Sequence, residues 1–212
     1  MNLHPRPNDH GHPVTIPHPH VPSPLEAWAE PGAVAIVVPD GPLPPALNGI
    51  AFAPADPSPT AGTATFPEPP FEGRGMKPAA GAVVVEPDGR IWLVAPTKAF
   101  GGYVATFPKG KTEGGELRAT ALREVFEESG LRVELYAHLV DVTRSASRTR
   151  YYLARRTGGT PAAMGWESQA VLLAPPGRLP HLLNSPYDRP ILEALKKALP
   201  SQNPGGTSCG SF

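Results

Sequence analysis

The sequence predicts an α/β fold in which a mixed sheet lies between helical layers, with a proline-rich extension ahead of it. Three observations lead there. Between Met76 and Pro200, short apolar runs of strand length are interleaved with two helical patterns. Nineteen of the thirty prolines fall in residues 1–78, which argues for extended or irregular chain in that part. A glycine-rich loop, Gly110-Lys111-Thr112-Glu113-Gly114-Gly115-Glu116, then feeds a short helix whose last turns carry three carboxylates.

In chain order, residues 1–30 read as a Pro/His-rich leader, expected to be disordered, with His4, His10, His12, His18 and His20 solvated. The prolines break the spacing that would converge these rings on a metal. Residues 31–75 read as an irregular extension with one or two short strands and a linker, packed on the main domain as an ornament. Within it, Ala33–Val38 is a buried strand ended by the turn Pro39-Asp40-Gly41-Pro42. Asn48–Phe52 is a second short strand, and Ser58–Gly75 is the linker.

The main domain spans residues 76–200, with residues 201–212 as a flexible tail. Gly81–Glu86 is an apolar strand, Pro87-Asp88-Gly89-Arg90 a turn, and Ile91–Ala95 the hairpin partner. A loop, Pro96–Tyr103, leads to a short strand at Val104–Phe107. The helix Leu117–Ser129 buries Ala121, Leu122 and Val125, with Leu131 just past it, and turns its acidic face outward. Arg132–Thr143, Arg148–Arg156 and Gln169–Leu173 are strands. A final helix starts at Asp188 or Arg189, with Pro190 in its first turn and Ile191, Leu192, Leu195 and Leu199 as its apolar stripe.

Glu124, Glu127 and Glu128 stand at i, i+3 and i+4, so like charges face each other on one helix surface. They also crowd the carbonyl end of the helix dipole, at a cost of roughly 0.3–1 kcal/mol each. Gly130 fixes where that end lies. Such a concentration of acid calls for a cation, and oxygen donors alone point to Mg²⁺, with Mn²⁺ as the substitute. The Gly110 carbonyl is a further oxygen at hand. Lys109, fixed by Pro108, is either a phosphate contact beside this cluster or a surface lysine at a turn. Arg144, Arg148 and Arg150 flank a strand, with Arg148 and Arg150 on one side of it, either as forks for outer phosphates or as a charged hairpin edge. Phe100, Tyr103 and Trp166 are candidates to stack on a base, unless they belong to the core.

Composition narrows the partners. Net charge is zero, with no basic tract or acidic tail, so nothing electrostatic favours nucleic acid or a membrane surface. The single cysteine, Cys209, fits a reducing cytoplasm, and Met1–Pro5 lacks the features of a signal peptide. A small-molecule partner in the cytoplasm is the expectation.

Gly110, Glu116 and Arg123-Glu124-Val125-Phe126-Glu127-Glu128-Ser129-Gly130-Leu131 together resemble the Nudix box, G-x5-E-x7-R-E-U-x-E-E-x-G-U with U apolar. Every fixed position from Arg123 onward matches. Six residues rather than seven separate Glu116 from Arg123, and the glycine loop is the place expected to absorb the deletion. The resemblance implies a Nudix-like α/β/α sandwich and metal-dependent hydrolysis of a nucleoside diphosphate linked to another group. It makes Glu124, Glu127 and Glu128 metal ligands, lets Glu124 serve as base, and gives Arg123 a scaffold role. Glu167, in the late loop after Gly165-Trp166, corresponds to a further metal-binding or base carboxylate. Phe107-Pro108-Lys109-Gly110 is similar to the approach to the box in members acting on dinucleoside polyphosphates. The shortened spacing leaves one competing reading, a Nudix-like regulator that binds a nucleotide metabolite without cutting it. The complete carboxylate set favours the hydrolase.

Overall fold

The computed structural model describes residues 2–56, 65–98 and 104–199. A small hairpin, β1 (Asn2–Leu3) with β2 (Thr15–Ile16), and a one-turn helix α1 (Glu26–Ala29) precede β3 (Ala35–Val37). A second hairpin, β4 (Ala46–Leu47) with β5 (Ile50–Ala51), follows. The main domain then runs β6 (Lys77–Val85), β7 (Ile91–Pro96), β8 (Lys109–Lys111), α2 (Leu117–Ser129), β9 (Leu131–Thr143), β10 (Ser147–Gly159), β11 (Ser168–Ala174), α3 (Leu179–Leu182) and α4 (Arg189–Ala198).

Seven strands make one mixed sheet in the order β3-β11-β7-β6-β10-β9, with β8 beside β6. β6 and β10 run parallel. Parallel neighbours need a long crossover, and α2 with β9 supplies it. One face of the sheet packs Ala80, Ala82, Val84 and Tyr152 against Ala121, Leu122 and Val125 of α2. The other packs Val83, Leu93, Tyr151 and Leu172 against Leu179, Ile191 and Leu195 of α3 and α4. These are the helix–sheet–helix layers that the apolar periodicities predict.

One strand lies elsewhere than expected. Val104–Phe107 contributes only an isolated bridge, Val94 to Thr106, and the strand falls at Lys109–Lys111 instead. β7 pairs only with Val84 and Val85 of β6, so Ala79–Gly81 are left to take β8 as partner.

The leader is also more ordered than its composition suggests. Residues 2–30, expected to be a disordered tail with solvated histidines, form a hairpin and a helical turn against the body. His4 is buried. Trp28 is 1% exposed, and its ring lies 5.9 Å from Phe52 and 6.0 Å from Trp92. Arg90, on the β6–β7 turn, donates to the carbonyls of Ala27, Trp28 and Glu30 at 3.4, 2.7 and 3.2 Å. A cation there satisfies carbonyls that a helix end leaves unpaired. The β4–β5 hairpin turns on Asn48 and Gly49, both at positive φ, as a tight two-residue turn demands. A fully buried ion pair, Arg156 with Glu86, lies beneath it. Arg156 also donates to the Leu47 and Ile50 carbonyls, at 2.9 and 3.3 Å, while Glu86 accepts from Trp92 and Asn48.

Of the expected linker, residues 57–64 lie outside the described residues, and residues 65–73 run without helix or strand. This stretch is nonetheless bound. Glu68 accepts from Arg118 of α2 at 2.7 Å, and from Arg150 and the Tyr152 hydroxyl of β10 at 3.0 Å each. The Arg118 guanidinium lies 4.0 Å over the Phe66 ring.

Candidate active site

The loop before α2 is a tight turn. Gly115 N–H donates to the Thr112 carbonyl at 2.7 Å, with Glu113 and Gly114 between them at positive φ. Glu116 is the N-cap and Leu117 the first helical residue; the Glu116 side chain makes no capping bond and is exposed. Gly130 ends the helix in the left-handed conformation, its N–H on the Phe126 carbonyl. Between these ends the helix does not turn its acidic face outward, as the sequence pattern predicts. Glu124 and Glu128 are 7% and 8% exposed, and only Glu127 projects into solvent. The reason is β8. Its Lys109 N–H donates to Glu128 Oε2 at 3.2 Å, and its Gly110 lies so close to the Glu124 carboxylate that a Cβ there would fall inside it.

Arg123 joins the loop to the acids. It donates to the Lys111 carbonyl at 3.0 Å and pairs with Glu124 and Glu127 at 2.7 Å each. Burial pushes the Glu124 carboxyl up to about 7, with Glu127 and Glu167 adding to the rise and Arg123 and Lys109 opposing it. Burial likewise takes Glu128 up to about 8, with Glu124 and Glu167 again raising it and Lys109 pulling it down. Glu124 and Glu128 are thus buried acids whose ionisation is disfavoured by burial and by each other's charge.

As donors for a hard divalent ion these residues fit in kind: they offer oxygen only, from one helix face, in a group short of positive charge. Arg123 presently fills that role for Glu124 and Glu127. Among the described residues, no three His, Cys, Asp or Glu side chains already converge as a ligand set.

Beside this group opens a cleft of about 420 Å³. Glu128 and Glu167 form its acidic wall, facing Lys98, Lys109, Lys111 and Arg144. Arg144 is held by the Tyr151 hydroxyl at 3.1 Å and stands 4.9 Å over the Tyr187 ring. Trp166 lines the same cleft.

The family model described as NUDIX domain matches residues 75–195, more than half of the chain. The chain belongs to the Nudix hydrolase family. Solved structures similar to this Nudix chain include the MutT protein of Methanosarcina mazei, at 14% identity and a TM-score of 0.46 over 57% of this chain and 94% of that one. An Ap4A hydrolase of C. elegans aligns at 19% identity and 0.46, over 57% and 94%. A Nudix-family hydrolase of Clostridium perfringens aligns at 16% and 0.48, over 59% and 99%. No curated protein matches the chain.

Within the Nudix segment, the residues singled out from sequence separate into two groups. Glu124, Glu127, Glu128, Gly110, Lys109 and Glu167 lie together at the cleft and the helix beside it. Arg150 does not join them: it is 2% exposed and spends its fork on Asp141, at 2.7 Å to each carboxylate oxygen, and on Glu68. Arg148 donates to Thr143 Oγ1 at 2.5 Å. The alternate residues Ser147 and Thr149 line the cleft instead, so both arginines stand on the wrong parity of β10 for the predicted contact. Tyr103 and Phe100 lie outside the described residues. Of the three arginines grouped in the sequence, Arg144 is the one that lines the cleft, and Tyr187, which sequence reasoning did not single out, is the aromatic ring that the fold brings there. The only sequence signal of Tyr187 is position, just before α4.

Proposed function

We propose that the cleft takes a nucleoside diphosphate linked to a further group and hydrolyses a phosphoanhydride bond in it. The observation that carries this reading is the cleft where Glu128 and Glu167 meet Lys109 and Arg144, with Glu124 and Glu127 on the adjoining helix. When bound, Mg²⁺ or Mn²⁺ would neutralise phosphate charge and make water a better nucleophile near neutral pH. Glu124, Glu127, Glu128 and the Gly110 carbonyl are the oxygens assigned to hold it. Lys109 and Arg144 meet phosphate oxygens, Arg144 as a planar fork. Water attacks one phosphorus, the bridging P–O bond breaks, and two phosphorylated products leave. The proton from water passes to Glu124 or Glu167. Of the substrates that satisfy this chemistry, dinucleoside polyphosphates are favoured. The Phe107-Pro108-Lys109-Gly110 entry, with Lys98, Lys109, Lys111 and Arg144 lining the same cleft, supports that preference.

The test is the purified protein with Mg²⁺ or Mn²⁺ and a panel of dinucleoside polyphosphates, nucleoside triphosphates and nucleotide sugars, with products separated by chromatography. Turnover of at least one member is expected. Glu127→Gln should lower kcat by roughly 100-fold or more with an unchanged circular dichroism spectrum. Tight binding without turnover of any member would overturn the enzyme reading in favour of a nucleotide-binding regulator.

A further inference from the structure

The amino-terminal hairpin lies outside the Nudix-matched segment, yet its bonds converge on one wall of the cleft. His4 Nδ1 lies 3.0 Å from the Arg6 N–H and 3.1 Å from the Arg6 carbonyl, and Nε2 stands 3.1 Å from the Ser168 carbonyl, to which it donates when it carries the ring proton. Thr97, for its part, donates its N–H to the Glu167 carbonyl and its hydroxyl to the Trp166 carbonyl, both at 2.7 Å. Three successive carbonyls of the wall are therefore held, two by β7 and its turn and one by the hairpin. Asp9 Oδ1 then accepts the Trp166 indole N–H at 3.0 Å. Arg6 adds a tie at 3.2 Å to Asp40, whose own N–H donates to the Ala162 carbonyl at 2.9 Å.

We propose that the hairpin is a working part of the site, in which Asp9 and His4 hold the Trp166–Glu167–Ser168 wall so that Trp166 offers its ring to a planar base of the substrate. This rests on the reading of the cleft as a nucleotide site. An indole whose N–H is already engaged by Asp9 has no donor left for the ligand; what remains is its π surface, which suits stacking on a base. Trp166 is then a contact for the base, and Asp9 is a positioning residue that acts through it.

Two readouts test this, one of them independent of turnover. Of the three tryptophans, Trp28 and Trp92 are buried, so the difference in emission between the native chain and Trp166→Phe isolates Trp166. Titration with α,β-methylene-ADP and Mg²⁺, whose P–C–P bridge is not hydrolysed, should change that Trp166 emission. Asp9→Ala should raise the accessibility of Trp166 to acrylamide and raise KM about tenfold with kcat within about twofold. Asp9→Asn, which keeps an acceptor oxygen, should restore both. If Asp9→Ala leaves KM and acrylamide access unchanged, or if Trp166 emission ignores the nucleotide while the enzyme turns over, the proposal is overturned. A nucleotide-dependent Trp166 signal in a protein without turnover would support the proposal while removing the hydrolase reading.

Discussion

Gly110 is the glycine that stands directly against one of the site's acids. Its missing side chain is what lets the Glu124 carboxylate approach the β8 backbone, and any Cβ would occupy the space of that carboxylate. Gly110→Ala therefore has two outcomes to choose between: the strand shifts, or Glu124 turns away. Either displaces the acid by something like an ångström, and misplacement on that scale costs on the order of 100-fold in rate. The expected result is a fall in kcat of that size, with overpacking lowering stability by about 1–3 kcal/mol. Steady-state kinetics with a urea melt checks both. Native kcat in this variant would mean that Glu124 is not needed where it stands. Arg123 illustrates the same tightness, since its one side chain serves a loop carbonyl and two acids at once.

At the scale of elements, the hairpin has a pH dependence of its own. His4 titrates below its usual 6.5 because burial disfavours the cation; Arg6 lowers it further, while Asp40 and the bonds to Arg6 and Ser168 pull the other way. The folded state thus binds the proton less readily than the unfolded chain. The contribution of His4 is complete above pH 6.5 and is lost as pH falls below it, through the depressed folded value. Acrylamide access to Trp166 should therefore rise between pH 7.5 and pH 5. In His4→Gln, whose amide stays neutral across this range, that rise should be smaller. An identical profile in both would place the titration elsewhere. Nothing in the sequence announces this role, because a lone histidine among five in a proline-rich leader carries no periodicity. The elements that were legible are those with a strong local pattern. The apolar runs of β6, β7 and β11, the stripe of α4, and the span of α2 between its glycine loop and Gly130 each follow from their own residues. The arginines of β10 were not legible: their roles turn on strand parity against Asp141 and Glu68, and Glu68 lies some eighty residues away in sequence.

The whole molecule joins the Nudix segment to its extension through a shared core. Trp28, Val37 and Leu47 of the extension belong to the same apolar cluster as Val84, Trp92 and Val125, and the buried Arg156–Glu86 pair bonds directly to the β4–β5 hairpin. Arg156→Met would leave the buried Glu86 without its main partner, which costs roughly 3–5 kcal/mol for a buried pair. Chemical denaturation should register that loss, and adding Glu86→Gln should recover part of it. A stronger consequence concerns the chain cut down to residues 75–199. Removing β3 bares the edge of β11, all seven of whose residues are buried, and an apolar strand edge without a partner invites aggregation. Removing Trp28 also opens a void beside Trp92, where loss of a large side chain alone costs about 3–5 kcal/mol. The trimmed chain is therefore expected to be insoluble or to bind ANS without a cooperative thermal transition. A sharp transition near that of the full chain would show instead that the extension is an ornament, as its composition suggests.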